Sequence, residues 1–261
     1  MLNYLSAEFY KLCFHKGLYV GTGLLLLLEL FVFLPGIMIR EQGREYIAQD
    51  VLLAFLLIAM SAGIFIAPIF AAMVFDNQSG NGTLKNEIVF GVPRSRIYIG
   101  KLVAGALAGT VIAILAVSFF LLLTYFLGGP PKVQGLLIRD FMEGLVSQWL
   151  VWLAAYAFAF MVMFLVGSTS SAMVLIYMVT MVSPVMSSAI WNSDLHFVWQ
   201  MIASISFTAP LTLVGASENG QGVLLPLLGG NTLLYALAVC LIWWGLSIVG
   251  GILILRRREI K

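Results

Sequence analysis

Few side chains in this chain are of types that carry chemistry, and their spacing limits what they could do. The two histidines, His15 and His196, lie far apart, and the two cysteines, Cys13 and Cys240, sit near opposite ends in or beside apolar segments. Neither an acid–base pair, a metal-ligand set nor a disulfide framework is indicated, and the cysteines read as small packing residues. No H-E-x-x-H and no G-x-x-x-x-G-K-[ST] occurs, so the chain has no zinc-protease helix and no phosphate-cradling loop of its own. Two places remain. One is Glu29, directly after five leucines. The other is the stretch GTLKNEIVFGVPRSR, residues 82–96, which sets a turn, a short amphipathic segment, a proline and two arginines between two apolar runs.

The elements that hold these residues follow from composition. Of 261 residues, 61% are hydrophobic and only 10% are charged, and the mean hydropathy is +1.03. A water-soluble domain could not cover that much apolar surface, so the chain is expected to be an integral membrane protein. At about 20 residues per crossing, six or seven spans take half of the chain or more and leave little for a separate catalytic domain. The start shows no basic run followed by an apolar core and a small-residue cleavage site, so the first apolar segment is expected to stay in the membrane.

Apolar runs long enough to cross a bilayer lie at 17–39, 51–75, 97–127, 146–167, 170–191 and 231–255, which predicts an all-α polytopic protein with six transmembrane helices in one domain, 1–261. Six crossings put both termini on one side. Lys11, Lys16, Lys85, Arg94, Arg96, Lys101, Arg256, Arg257, Arg258 and Lys261 fall on that side, against Arg40, Arg44, Lys132 and Arg139 on the other. By the positive-inside rule the termini and the 76–96 loop are cytoplasmic. Residues 3–16, with Leu5, Phe9, Leu12 and Cys13 on one face and Asn3, Ser6, Glu8, Lys11 and His15 around the rest, suit a helix lying in the interface; the alternative is a plain cytoplasmic start to the first span. The 195–230 stretch is apolar in two short pieces broken by Pro210, SENGQG and Pro226 and has no lysine or arginine. It reads as a re-entrant or outer hairpin, with a pair of short crossings as the alternative.

Within this layout DNQSGNG, residues 76–82, ends the second span. Thr83 can then cap a short helix, 83–91, in which Leu84 and Ile88 share a face while Lys85, Asn86 and Glu87 point to solvent. Gly91 and Pro93 close it. Arg94, Arg96 and Lys101 read as a basic anchor at the headgroups. An anchor leaves the helix itself unexplained, and its exposed apolar pair has the form of a plug for a groove on another protein. Glu29, around mid-depth, is either a contact for a cationic substrate or an interface residue, or else a protonated or hydrogen-bonded carboxyl inside one subunit. Gly105 and Gly109, with Ala104 and Ala108, make a small-residue face for close helix packing. Several of the six tryptophans fall near span ends, as aromatic belts do.

The segment FDNQSGNGTLKNEIVFGVPRSRIYIGKLVAG, Phe75 to Gly105, resembles the loop after the second span in type-2 ATP-binding-cassette (ABC) exporter permeases. The matching features are an acidic residue at the end of the span, Gly82-Thr83, Lys85-Asn86, Ser95-Arg96 and Gly100-Lys101. The branch most similar is the Gram-positive one that holds lantibiotic-immunity and bacitracin-export subunits. The resemblance implies a bacterial plasma-membrane permease that pairs with a second permease, as a homo- or heterodimer, within membrane lipid. It implies that 83–91 is a coupling helix, with Thr83, Leu84, Lys85, Asn86, Glu87, Ile88, Arg94 and Arg96 facing a cytoplasmic ATPase subunit. That partner would bind ATP and Mg; this chain would be no enzyme, hold no cofactor and bind no nucleic acid. The cargo implied is amphipathic, an antimicrobial peptide or antibiotic exported for self-protection or resistance. A secondary transporter would instead need paired inverted repeats and intramembrane coupling charges, of which only Glu29 is present. An intramembrane enzyme would need at least two converging catalytic groups, and none is evident.

Overall fold

The structure is a computed structural model; it describes residues 2–41, 65–75, 87–128, 135–189, 196–205 and 231–257. Every regular element among them is helical. In chain order these are α1 (Leu2–Cys13), α2 (Lys16–Glu41), α3 (Phe65–Phe75), α4 (Arg94–Gly128), α5 (Gly135–Val166), α6 (Thr169–Ala189), α7 (His196–Ala203) and α8 (Thr232–Arg257). Helices are the expected outcome for chain in lipid, because they satisfy every backbone N–H and C=O internally. Four of them, α4, α5, α6 and α8, are long and apolar enough to cross a membrane. The bent pair α1–α2 passes the same test jointly, which makes up to five spans among the described residues. α1 turns from α2 by 60°.

Local sequence sets the ends of these helices. Asn231 caps α8, its Oδ1 accepting from the amides of Leu233 and Leu234 at 3.1 and 3.2 Å, as a short polar side chain does at an N-cap. α5 stops at Gly167: its amide still reaches the Met163 carbonyl at 2.8 Å, and its φ of 76° turns the following chain out of the helix; a side chain there would oppose that left-handed backbone. α5 also begins before the apolar run at 146. Arg139, Asp140 and Glu143 fall in its first turns, because a helix extending past the lipid keeps its backbone bonds whatever charge it carries.

α5 is the most enclosed of the spans and packs most extensively on α8. Small residues make this close approach possible: Ala154, Ala157 and Ala159 on α5 and Ala236 on α8 are fully buried, and lipid-embedded helices associate largely through such packing. Polar staples fix the register. Trp244 donates its indole N–H to the Leu153 carbonyl at 3.2 Å, and Ser247 donates to the Ala157 carbonyl at 2.8 Å. The Ser247 proton is thereby engaged, so the Tyr98 hydroxyl from α4, 2.8 Å away, donates to Ser247 Oγ. Trp243 likewise reaches the Met201 carbonyl and Trp149 the Thr110 hydroxyl, both at 3.2 Å. These three tryptophans satisfy their N–H groups within the bundle.

A ring ladder runs along α5. Trp152 and Tyr156 stack with centroids 5.8 Å apart, Tyr156 and Phe160 at 5.9 Å, and Phe160 meets Phe164 at 5.0 Å, as the four-residue spacing places successive rings on one helix face. α4 receives the ladder through its glycines. A Cβ at Gly109 would overlap the Trp152 ring, and one at Gly105 would overlap the Tyr156 hydroxyl. Within one chain, these two glycines thus form the seat for two aromatic side chains.

Candidate functional site: a braced joint

At one end of the bundle the start of α4 meets three other segments. The first is the turn that precedes it. Residues 87–89 are helical and stop at Gly91, where the Gly91 amide bonds the Ile88 carbonyl at 2.9 Å and the Val92 amide bonds the Glu87 carbonyl at 3.1 Å. This is the double closure of a Schellman stop, and it requires the left-handed backbone that Gly91 supplies with φ 81°. Pro93 then accepts from the amides of Arg96 and Ile97 and opens α4. Gly91-Val92-Pro93 is therefore a three-residue elbow between two helical segments.

Across that elbow lies a closed ring of alternating charge. Lys101 Nζ, two turns into α4, stands 2.9 Å from Glu8 Oε2 of α1 and 3.3 Å from Glu87 Oε1 of the turn. Lys11 Nζ of α1 completes the circuit, 2.7 Å from Glu8 Oε1 and 3.2 Å from Glu87 Oε1. Tyr4 of α1 donates its hydroxyl to the other Glu87 oxygen at 2.8 Å. The Lys101 side chain is only 2% exposed, while that of Lys11 is 48% exposed. Two cations and two carboxylates cancel, so no net charge is buried.

The electrostatics agree with that geometry. Burial pushes the Glu8 carboxyl up, but the charges and hydrogen bonds of Lys101 and Lys11 outweigh it and hold the group below its ordinary value. Burial pulls Lys11 down, and its bonds to Glu8 and the charge of Glu87 reverse this, leaving it raised. For Tyr4, burial and the charges of Glu8 and Glu87 all act upward, so the phenol stays neutral and available as a donor.

The same end holds the close of α8. Arg94 Nη1 donates to the Leu255 carbonyl at 2.7 Å and the Arg256 carbonyl at 3.4 Å, placing a cation on the orphan carbonyls and negative dipole of a helix C-terminus. Two members of the expected basic anchor are thus internal ties: Arg94 caps α8 and Lys101 is buried in the ring. Arg96 is exposed. α1 packs against α4, with Tyr4 lying over Gly100, where a Cβ would crowd its ring.

Several sequence-predicted positions fall elsewhere. Thr83, Leu84, Lys85 and Asn86 lie outside the described residues. Ile88 is half-buried, and the most exposed apolar side chains of the turn are Val89 and Phe90, at 81% and 84%. Glu87 and Arg94 belong to the joint. Glu29, in α2, takes no part in it; the residue is buried and its Oε2 has no hydrogen-bond partner among the described residues. No group of three His, Cys, Asp or Glu that could hold a metal forms among the described residues.

Glu8, expected on the polar side of its helix, and Lys101, expected at the headgroups, are both buried instead, and a periodic signal for this was present. Glu8 sits three residues after Leu5 and four before Leu12, and Lys101 four after Ile97 and four before Gly105. Both therefore lie on or beside an inward stripe.

The helices make an apolar bundle with several candidate membrane spans, and comparison with known families gives its class. Residues 4–186, from α1 into α6, match the model of the ABC-2 family transporter protein. The chain belongs to the ABC-2 transporter family. Membership makes it a multi-pass membrane subunit of the ABC exporter permease type, and in general it implies a partner ATPase. No curated protein matches the chain. The joint of this ABC-2 chain lies wholly within the matched segment, whereas the α8 end that Arg94 caps lies beyond it.

Proposed function

We propose that this chain is the membrane subunit of an exporter worked by a separate cytoplasmic ATPase. Its 83–91 segment is the part seated on that ATPase. It crosses the membrane six times, with the second crossing at 51–75 ending in α3 and an outer hairpin at 195–230 beginning with α7. Both termini are cytoplasmic, and the chain pairs with a second permease, a copy or a homologue, within the plasma membrane of a bacterium. ATP and Mg are held by the partner; the chain itself catalyses nothing. The cargo is amphipathic, with an antimicrobial peptide or antibiotic as the favoured class, consistent with spans that carry few ionisable groups.

The observation that carries this reading is the Val89–Phe90 pair. Two large apolar side chains are exposed at 81% and 84% on a turn that is closed by its own hydrogen bonds and braced to the bundle through Glu87. Aromatic anchors presented from a rigid element are the usual form of a binding hot spot. Leu84 and Ile88 are the anchors expected from sequence; Leu84 lies outside the described residues and Ile88 is half-buried, and Val89 and Phe90 join them as anchors, with Lys85 and Asn86 as flanking contacts.

The test is purification of the tagged chain from its native membrane in mild detergent. The expected result is a roughly stoichiometric soluble subunit that hydrolyses ATP with Mg, together with transport into vesicles that needs ATP. A chain that purifies alone and transports on an ion gradient would overturn the reading. Glu29 would then be the coupling charge of a secondary transporter.

A further inference from the structure

We propose that the Glu8–Lys101–Glu87–Lys11 ring is a brace across the Gly91–Pro93 elbow, with Lys101 as the positioning residue that makes the turn, α1 and α4 move as one body. The inference rests on the function proposed above, since it concerns how displacement of the 83–91 segment reaches a span.

The geometry supplies the reason. Glu87 lies just before the elbow, and Lys101 two helical turns after it, joined at 3.3 Å. Without that link the turn stays joined to α4, among the described residues, through the chain itself at Gly91, Val92 and Pro93 and indirectly through Lys11 and Tyr4 of α1. A force on Phe90 would then be taken up in large part by bending at the elbow. The link is not a lone surface pair. Lys101 is held from the other side by Glu8 at 2.9 Å, and Lys11 ties both carboxylates together. Tyr4 adds a neutral hydrogen bond to Glu87. Withdrawal of Glu87 would leave two cations facing one carboxylate around a lysine that is 2% exposed, and an unbalanced charge in such a place is strongly disfavoured. The ring therefore resists separation of the turn from α1 and from α4 alike. Arg94, capping α8 at the first residue of α4, extends the same body toward the last span.

The experiment uses the chain in complex with its ATPase in lipid nanodiscs, with and without trapping by ATP, Mg and orthovanadate. Two quantities are read: trapped nucleotide, and the rate of amide deuterium uptake over Phe119–Phe126 at the far end of α4. In the wild type, trapping is expected to change that rate about 5-fold or more, the lower end of ordinary allosteric coupling. Lys101→Met is expected to trap as much nucleotide per folded complex as the wild type does, while the change at the far end disappears. A covalent substitute should restore it. In a background with Cys13→Ala and Cys240→Ala, the Glu87→Cys/Lys101→Cys pair should lose the far-end response and regain it on bridging with a bifunctional thiol reagent.

A merely structural role would lower trapped nucleotide and far-end response together, in proportion to folded complex, and the bridge would restore neither. That result overturns the brace, as does a full far-end response in Lys101→Met or no far-end response in the wild type. Failure of the underlying function looks different: no ATPase binds, and no nucleotide is trapped in any variant.

Discussion

Glu8 and Glu29 are both carboxylates buried in an apolar protein, and they stand in opposite circumstances. Glu8 is met by Lys101 at 2.9 Å and Lys11 at 2.7 Å, within a ring whose charges cancel and which ties three segments together. Glu29 sits in the middle of α2 with Oε2 unpartnered among the described residues. A buried charge that is paired on all sides fixes relative position, because moving any member exposes the rest to an uncompensated field. A buried carboxyl without a partner fixes nothing; it is a cost to the fold, and such groups in spans are retained for what they meet. The joint is therefore the proposed mechanical site, and Glu29 remains the proposed point of contact with cargo or with a second permease.

That contrast can be broken most easily at Lys101. Lys101→Met leaves Glu8 and Glu87 with a single, half-exposed cation, and the expected loss is about 3–5 kcal/mol, as for other buried pairs deprived of one partner. Thermal unfolding in detergent measures it, and an unchanged midpoint would mean that the ring holds nothing. A smaller loss is expected from the uncharged packing between α4 and α5. Gly105→Val drives a branched side chain toward the Tyr156 hydroxyl, and overpacking of this kind costs about 1–3 kcal/mol.

Acid offers a graded version of the Lys101 test. Glu8 is lowered in the folded protein, so its contribution is complete above the ordinary carboxylate range and lost as pH falls through the lowered value. Lys11 is raised; its contribution is complete below the ordinary lysine range and fades only as pH rises through the raised value. The stability gap between wild type and Lys101→Met should accordingly be constant around neutrality and narrow in acid. The smallest effect is expected at Glu29. Glu29→Gln gives up no Oε2 hydrogen bond among the described residues, so its unfolding midpoint should stay at or above that of the wild type. A loss comparable to that of Lys101→Met would erase the distinction between the two acids.

Much of the architecture was legible in advance because long apolar runs admit few alternatives. α4, α6 and α8 occupy such runs, and the turn ends at Gly91 because that residue accepts a left-handed backbone. Charge near span ends was harder. Lys101 follows Arg94 and Arg96 and sits at the start of an apolar run, so counting charge by segment assigns all three to the headgroups. Helical phase separates them: Lys101 shares a stripe with Ile97 and Gly105, while Arg96 does not. Even so, phase shows only that Lys101 turns inward. That its partners are Glu8 and Glu87, 93 and 14 residues away along the chain, depends on how α1 folds back onto α4, and no spacing in a single sequence encodes that. The seat at Gly105 and Gly109 follows the same pattern: the small-residue face is visible, and the rings of Trp152 and Tyr156 that fill it are not.

If this chain works, as proposed, by docking the turn before α4 on a separate ATPase, the affinity between the two must depend on that turn. Titrating the purified ATPase against the nanodisc-held chain should show that Phe90→Asp, with Val89→Asp beside it, weakens binding by at least about 2 kcal/mol, the threshold for a hot spot, while the bundle melts as the wild type does. Binding of unchanged strength in that double variant would show that the turn is not the docking element.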